Sequence, residues 1–230
     1  MGRKRITKKQ LKEDVFVTAT FEASHYLQEH KNKIIGVSVA AVALVGLAWM
    51  FISHRTEQRE QASLALFKAE VTYINGQFQL SATDFENLAN EYSGTVEAEK
   101  ALYLAGDSFF KSGDFDRALE LFNRCREDMS SGDPLMVNVL TGIGACHEQQ
   151  EDYAQAEQFY RQAEKAAEYD FQKVETLSSL SRVLRLAGRE AEAIDVLTSI
   201  IDQFPDNPRR GEFIELRAEL RAKSPATAKS

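Results

Sequence analysis

One uncharged apolar run interrupts a chain in which hydrophobic and polar positions otherwise alternate. Residues 34–52 (IIGVSVAAVALVGLAWMFI) form 19 consecutive positions without a charged side chain. As a helix rising about 1.5 Å per residue, such a run crosses a bilayer core of roughly 30 Å. A buried core helix of a soluble protein is the alternative, but such helices have shorter apolar runs and carry some polar face. The run therefore predicts one transmembrane helix.

The part of the chain after this run repeats every 37 to 38 residues, in units that start near residues 62, 99, 137 and 174. Five columns recur in all four units. They hold a small residue in a first helix (Ala69, Gly106, Gly144, Ser181), a turn residue (Gly76, Gly113, Glu151, Gly188), a mostly aromatic residue (Phe78, Phe115, Tyr153, Glu190), a second small residue (Ser81, Ala118, Ala156, Ala193) and a bulky residue (Phe85, Phe122, Tyr160, Leu197). A period of this length is typical of stacked helix hairpins.

The chemistry of these columns is that of two crossing helices. Small residues let the backbones approach at the crossing, and the bulky residues fill the space beside it. Glycine at the turn supplies a left-handed helix end without a Cβ penalty. The column order resembles the tetratricopeptide repeat, and the departures at Ser81, Glu190 and Leu197 fall in the outer units, as is usual for capping repeats. The predicted fold is all-α: one N-terminal transmembrane helix, then a tetratricopeptide-repeat α-solenoid of about four helix hairpins and a C-terminal capping helix.

Five segments follow from these patterns. They are a basic cytoplasmic tail with an amphipathic helix (1–33), the transmembrane helix (34–52), a helical connector (53–61), the solenoid (62–223) and a disordered end (224–230). The tail's apolar stripe consists of Leu11, Val15, Ala19, Ala23 and Leu27. This helix could lie on the inner leaflet, contact a partner or act as a loosely ordered spacer. Arg210 to Lys223 is the predicted capping helix, with Phe213, Leu216 and Leu220 on one stripe.

Charge is distributed unequally across the apolar run. The 33 residues before it carry eight Lys/Arg and four Asp/Glu, a net charge of +4. The 178 residues after it carry the other 20 basic and 31 acidic side chains, a net charge of −11, which with +4 gives the total of −7. Positive charge is retained in the cytoplasm, and long C-terminal domains translocate largely regardless of charge. We therefore predict that the N-terminus stays inside and the repeat domain crosses, although Arg55, Arg59 and Lys68 follow the run closely.

The repeat domain contains few residues suited to catalysis. His147, its only histidine, falls in an aromatic column of the third unit, where packing explains it. Residues 142–144 (GIG) lie in a predicted helix rather than after a strand, so they do not form a phosphate loop. Cys125 and Cys146 could form a disulfide in an oxidising compartment or serve as small apolar core residues. Together with His147 they lack the fourth ligand and the regular spacing of a metal site.

These observations predict a protein that is not an enzyme and that has no cofactor, no metal and no small-molecule substrate. The domain's net charge of −11 also makes it a poor binder of nucleic acid.

Binding of another protein is the function that remains. In such solenoids the first helices of successive units line a concave groove. The candidate groove residues are Tyr73, Lys100, Tyr103, Asp107, Phe110, Asn138, Thr141, Arg182 and Arg185. Tyr73, Tyr103 and Phe110 are candidate anchors because aromatic side chains dominate interface energetics, although Tyr103 and Phe110 could instead pack on a neighbouring repeat. No Lys/Asn set recurs in the arrangement that would clamp a peptide's terminal carboxylate.

The whole layout, with YLQEHKNKIIG at residues 26–36 leading into the apolar run, resembles the bacterial ancillary SecYEG translocon subunit family. The resemblance implies a single-pass protein of the bacterial inner membrane with a periplasmic repeat domain. Its expected partners are translocon subunits, periplasmic chaperones or exported chains. The resemblance implies that the protein hands exported chains from the translocon to the chaperones. The alternative is an interaction module of another envelope machine, for cell-wall synthesis or outer-membrane assembly.

Overall fold

The computed structural model describes residues 8–130 and 132–223, with the side chains of residue 28 and of most residues after it. The predicted stripe of the N-terminal tail lies outside the described side chains. The predicted disordered end, 224–230, lies outside the described residues. The described part is entirely helical. Its helices are α1 (Lys8–Ile74), α2 (Phe78–Glu91), α3 (Val96–Ser112), α4 (Phe115–Asp128), α5 (Met136–Gln149), α6 (Tyr153–Ala166), α7 (Asp170–Leu186), α8 (Glu190–Gln203) and α9 (Arg210–Lys223).

The chain divides into two compact units, Met1–Gln58 and Arg59–Ser230. In the first unit, every side chain from Ile35 to Ile52 is exposed. Between His30 and Ile74, α1 contains a window of 18 residues that by length and composition is apolar enough to cross a membrane. The exposed apolar surface is what a lipid-facing helix presents, because lipid tails are as apolar as the side chains themselves.

The second unit is a series of helix hairpins. The end of α1 pairs with α2, α3 with α4, α5 with α6 and α7 with α8, and α9 closes the series. The predicted turn residues between paired helices all have positive φ: Gly76 at 76°, Gly113 at 88°, Glu151 at 61° and Gly188 at 75°. Three of the four positions thus carry the residue that adopts this conformation without strain. Helix α9 spans the residues that the sequence predicts for the capping helix, and Phe213 and Leu220 on its stripe are buried. The predicted fold class is therefore confirmed.

The core lies at the helix crossings, as the columns predict. Ala118, Ala156 and Ala193 have no exposed surface, and Tyr160 beside them is equally buried. A Cβ added to Gly144 would come within 2.8 Å of the Tyr160 ring, so a larger residue there would displace that ring. Each buried bulky side chain contributes roughly 1.5–3 kcal/mol.

Side-chain caps fix where two of the second helices, α4 and α6, begin. The Asp114 carboxylate accepts a hydrogen bond from the Arg117 N–H at 3.2 Å, and the Asp152 carboxylate accepts one from the Gln155 N–H at 3.2 Å. Such caps stabilise a helix by about 1 kcal/mol each. Because each cap follows a left-handed turn, the chain reverses at a fixed residue and successive first helices come to lie side by side.

Candidate functional site

An open pocket lies where the first helices α3, α5 and α7 come together in the second unit. Its volume is about 250 Å³. The lining residues are Tyr103, Asp107, Phe110, Phe122, Val137, Asn138, Thr141, Gly142, Ala145, Phe171, Gln172, Glu175 and Thr176. This is a side chain-sized recess with aromatic walls, on the surface formed by the first helices of three successive hairpins.

The α3 wall of the pocket is aromatic and firmly packed. Tyr103 is half-buried, with its ring 5.9 Å from that of Phe122. Burial raises the pKa of the Tyr103 hydroxyl to about 12, so it stays a neutral hydrogen-bonding group. Phe110, also half-buried, lies 5.3 Å from Phe115. These two aromatics pack on residues of their own hairpin, α3–α4, and also line the pocket.

On the opposite side, the pocket is lined by Phe171, whose ring stacks on Tyr169, a residue outside the lining. Phe171 is 69% exposed and Tyr169 is 58% exposed. Their rings stack on each other with centroids 5.8 Å apart and an interplanar angle of 15°. Exposed aromatic surface of this kind marks binding sites more often than large exposed aliphatic residues scattered singly.

The charged groups of the pocket are two carboxylates. Asp107 accepts a hydrogen bond from the Tyr73 hydroxyl, and its Oδ2 lies 3.0 Å from the Lys111 ammonium. Glu175 is exposed, and its nearest cation in the described structure is Arg209 at 3.4 Å. The charged residues among the pocket's described lining are thus both acidic.

Five of the nine predicted groove residues line this pocket: Tyr103, Asp107, Phe110, Asn138 and Thr141. Asn138 is exposed, whereas the Thr141 hydroxyl donates to the Val137 carbonyl at 2.7 Å. The structure therefore brings the predicted residues of the second and third units together.

The other four predicted residues lie outside the pocket lining. Tyr73 is joined to it through Asp107. Lys100 forms an ion pair with Glu70 at 2.7 Å on the α1 side. Arg182 and Arg185 lie further along α7 and both are exposed.

Arg182 holds a buried polar network together. Its Nε and Nη2 donate to the two carboxylate oxygens of Glu148, at 2.7 and 3.0 Å. The hydroxyl of fully buried Tyr160 donates to the same carboxylate at 2.8 Å. Hydrogen bonding to Glu148 raises the pKa of Arg182, and burial raises the pKa of Tyr160. These contacts account for Arg182 structurally, whereas no such contact is described for Arg185.

The sequence interpretation missed the α7 side of the pocket, which is formed by Phe171, Gln172, Glu175 and Thr176. The repeat alignment starts the fourth unit near residue 174, but α7 begins at Asp170. Phe171 and Gln172, in the first turn of this helix, were therefore outside the compared columns, whereas Glu175 and Thr176 lay within the unit and were not selected. The cluster YDF at residues 169–171, with two aromatics next to a helix start, was the available signal.

The cysteine and histidine side chains of this unit pack against other residues and are not arranged for catalysis. Cys125 and Cys146 are free, buried thiols of the core, and burial raises the pKa of each to about 12. His147 stacks on Phe159 with ring centroids 5.6 Å apart. In the described part of the chain, no group of three or more His, Cys, Asp or Glu residues is placed to hold a metal ion.

Comparison with known proteins assigns the class of the second unit. The profile of the tetratricopeptide repeat matches residues 97–169 and 135–206. No curated protein matches this chain significantly. Residues 97–206 thus match the tetratricopeptide repeat, the repeat that the sequence columns predict, and such repeats are scaffolds for binding other proteins.

Solved structures show the same fold. TPR-like repeats of a kinesin light chain from Podosopora anserina match with a TM-score of 0.56 and 13% identity, over 73% of this chain and 98% of that structure. Pseudomonas aeruginosa PilF matches with a TM-score of 0.57 and 15% identity, over 72% of this chain and 71% of that one. MamA matches with a TM-score of 0.55 and 14% identity, over 70% of this chain and 82% of that one. At these identities the likeness establishes the fold alone.

Proposed function

We propose that this protein is a membrane-anchored, non-enzymatic adaptor whose pocket between α3, α5 and α7 binds a segment of a partner protein. The observation that carries the proposal is the exposed Phe171 ring, stacked on Tyr169, in the lining of a 250 Å³ recess. Exposed aromatics beside an aromatic-walled recess are the arrangement that concentrates binding energy in a few residues.

The chemistry of the lining favours a particular kind of segment. Tyr103, Phe110 and Phe171 suit an apolar side chain, and Asp107 and Glu175, already paired with Lys111 and Arg209, can accept a hydrogen bond beside it. A free peptide carboxylate finds no cationic residue in the lining, whose charged residues are both acidic. Of the nine groove residues predicted from the sequence, we retain Tyr103, Asp107, Phe110, Asn138 and Thr141 as binding residues, and Tyr73, Lys100 and Arg185 as flanking ones.

The anchor fixes where the adaptor acts. A chain with an N-terminal charge of +4 and a long acidic C-terminal domain is expected to insert with its N-terminus in the cytoplasm. In a bacterial inner membrane this orientation places the repeat domain in the periplasm. Tethering raises the local concentration of the pocket at the membrane, so that a weak interaction suffices.

The expected partners are those that meet this membrane face. They are translocon subunits, periplasmic chaperones or exported chains, with the resemblance at residues 26–36 as support. Components of cell-wall synthesis or outer-membrane assembly are the alternative. The layout of one anchor and a repeat domain serves either.

Site-specific photocrosslinking in intact cells tests both the site and the partner. A photoreactive amino acid replaces Asn138, which is exposed within the pocket lining, and the matched control replaces Gln158, which is exposed on the second helix α6. Adducts at Asn138 that are absent at Gln158 support the pocket, and mass spectrometry distinguishes translocon or chaperone partners from other envelope proteins. Equal adducts at both positions contradict the site.

Topology has its own test. In a chain whose native cysteines are replaced, Ser230→Cys should react with a membrane-impermeant thiol reagent once the outer membrane is permeabilised, and Gly2→Cys should not. The reverse labelling would place the repeat domain in the cytoplasm and end the periplasmic proposal.

A further inference from the structure

The outer face of α1 within the second unit carries an exposed apolar stripe. Leu64 is 57% exposed, Phe67 63%, Val71 42% and Ile74 79%. The opposite face of the same helix is buried and includes Ala62, Leu66 and Ala69. The stripe is therefore not part of the domain's own core.

This stripe lies at an end of the repeat series, where solenoids normally present a polar surface. The other end obeys that rule: on α9 the exposed positions include Glu212, Glu215 and Glu219, and its exposed large apolar residue, Ile214, is only 36% exposed. The contrast between the two ends indicates that α1 has a partner surface that α9 lacks.

The spacing of the stripe is that of a coiled-coil seam. Leu64, Phe67, Val71 and Ile74 are separated by three, four and three residues, the a and d positions of a heptad. Preceding seam positions are Glu57 and Glu60, so the apolar contact starts at Leu64.

We propose that the stripe Leu64–Ile74 pairs in parallel with the same stripe of a second copy of this chain. Two copies inserted in one membrane have anchors of the same orientation. The two-heptad seams of the two copies therefore run parallel when they come into contact. The residues flanking the apolar seam (Gln61, Ser63, Lys68, Glu70 and Asn75) place no like charges opposite one another in this register, whereas Glu57 and Glu60 would each face their equivalent, so the pairing begins at Leu64. Glu70 is already paired with Lys100.

The stripe is too small to hold two copies together without the membrane anchor. Four side chains on each copy bury less than the roughly 1,000 Å² that a stable interface needs. Confinement to a membrane supplies the missing association through effective concentration. The inference thus rests on the proposed membrane anchoring, but it is independent of the pocket and its partner.

Disulfide crosslinking of the full chain in lipid vesicles that contain no other protein tests this pairing. In a parallel two-stranded seam, a positions face each other, so Leu64→Cys and Val71→Cys should each give a dimer on oxidation. Gln158→Cys, exposed on α6, is the matched control and should stay monomeric. The native cysteines are buried and stay unreactive. Crosslinking at Leu64 and Val71 no greater than at Gln158 overturns the proposal.

A second measurement distinguishes pairing from contact with lipid. Energy transfer between differently labelled copies should be lost in the Phe67→Glu/Val71→Glu double variant, with helix content unchanged because both side chains are exposed. A fluorophore on Ile74→Cys should be insensitive to brominated lipid. Strong quenching by that lipid means that the stripe lies on the membrane surface and contradicts the pairing.

Discussion

Replacing Arg182 by alanine should destabilise the repeat domain without changing its binding surface. The change removes two charge-assisted hydrogen bonds, at 2.7 and 3.0 Å, from the buried Glu148 carboxylate and leaves it with the Tyr160 hydroxyl. Breaking a fully buried ion pair costs about 3–5 kcal/mol. Because the Arg182 side chain is 50% exposed while that of Glu148 is 7% exposed, water can partly replace the lost donors. We therefore expect a loss of about 2 kcal/mol, which in a domain of this size lowers Tm by roughly 4–8 °C.

Thermal unfolding of the full chain, followed by circular dichroism in detergent, measures this loss. Arg185→Ala is the matched control: it removes the same side chain three residues away on the same helix, where no hydrogen bond is described, and should shift Tm by less than about 1 °C. A double-mutant cycle with Glu148→Gln should show coupling between Glu148 and Arg182. Equal Tm values for Arg182→Ala and Arg185→Ala would refute the structural role of Arg182 and return it to the candidate binding residues.

Two further substitutions and one labelling experiment probe the packing of the repeats. Gly142→Ala places a Cβ 2.7 Å from the Phe122 ring, so despite its better helix propensity it should lower stability by about 1 kcal/mol; an unchanged Tm contradicts that packing. Glu151→Gly should raise stability by up to about 1 kcal/mol because Glu151 has φ of 61°, and a fall in Tm would count against the strain. Cys125 and Cys146 should resist thiol reagents at pH 8 until the domain unfolds. Because burial raises both pKa values from 9.0 to about 12, their contribution to stability is present below pH 9 and lost as pH rises toward 12; rapid labelling of the folded chain contradicts this.

The hairpins of this protein could be predicted from its sequence because the repeat is encoded in backbone requirements. A position that needs a left-handed turn, such as Gly113, or a close helix crossing, such as Ala118, accepts few residue types. These columns therefore survive in every unit, and their alignment gives the register of the helices. Glu151 shows the limit of prediction from residue type. Glutamate disfavours a positive φ, and only its place in the turn column indicated the left-handed conformation that it adopts.

The partners of individual side chains could not be predicted in the same way. They depend on the angle between successive hairpins, which the repeat period does not specify. Arg182 was assigned to the groove, yet it binds Glu148, 34 residues earlier. A similar separation joins Arg209 to Glu175, and one of 32 residues joins Arg189 to Glu157. An arginine about one repeat after a glutamate is thus a usable signal for contacts between neighbouring hairpins in this chain.

The pocket contains residues that the sequence predicted and others that it did not. Tyr103 and Phe110 followed from the repeat columns, whereas Phe171 belongs to a first helix that starts earlier than the columns indicate. Loop length between units varies more than the crossings do, because loops on the surface tolerate insertions. The aromatic cluster at residues 169–171 was visible in the sequence, but only the three-dimensional arrangement places Phe171 in the pocket.

The affinity of the Phe171→Ala variant for the partner captured at Asn138 tests the central claim most directly. Phe171 is 69% exposed, so its truncation should leave Tm unchanged while weakening Kd by about tenfold, the effect of a hot-spot aromatic worth about 1.4 kcal/mol. Val96→Ala is the control, since Val96 is also 69% exposed but lies outside the pocket lining. Binding by Phe171→Ala that equals binding by Val96→Ala and the unaltered chain would contradict the pocket as the binding site.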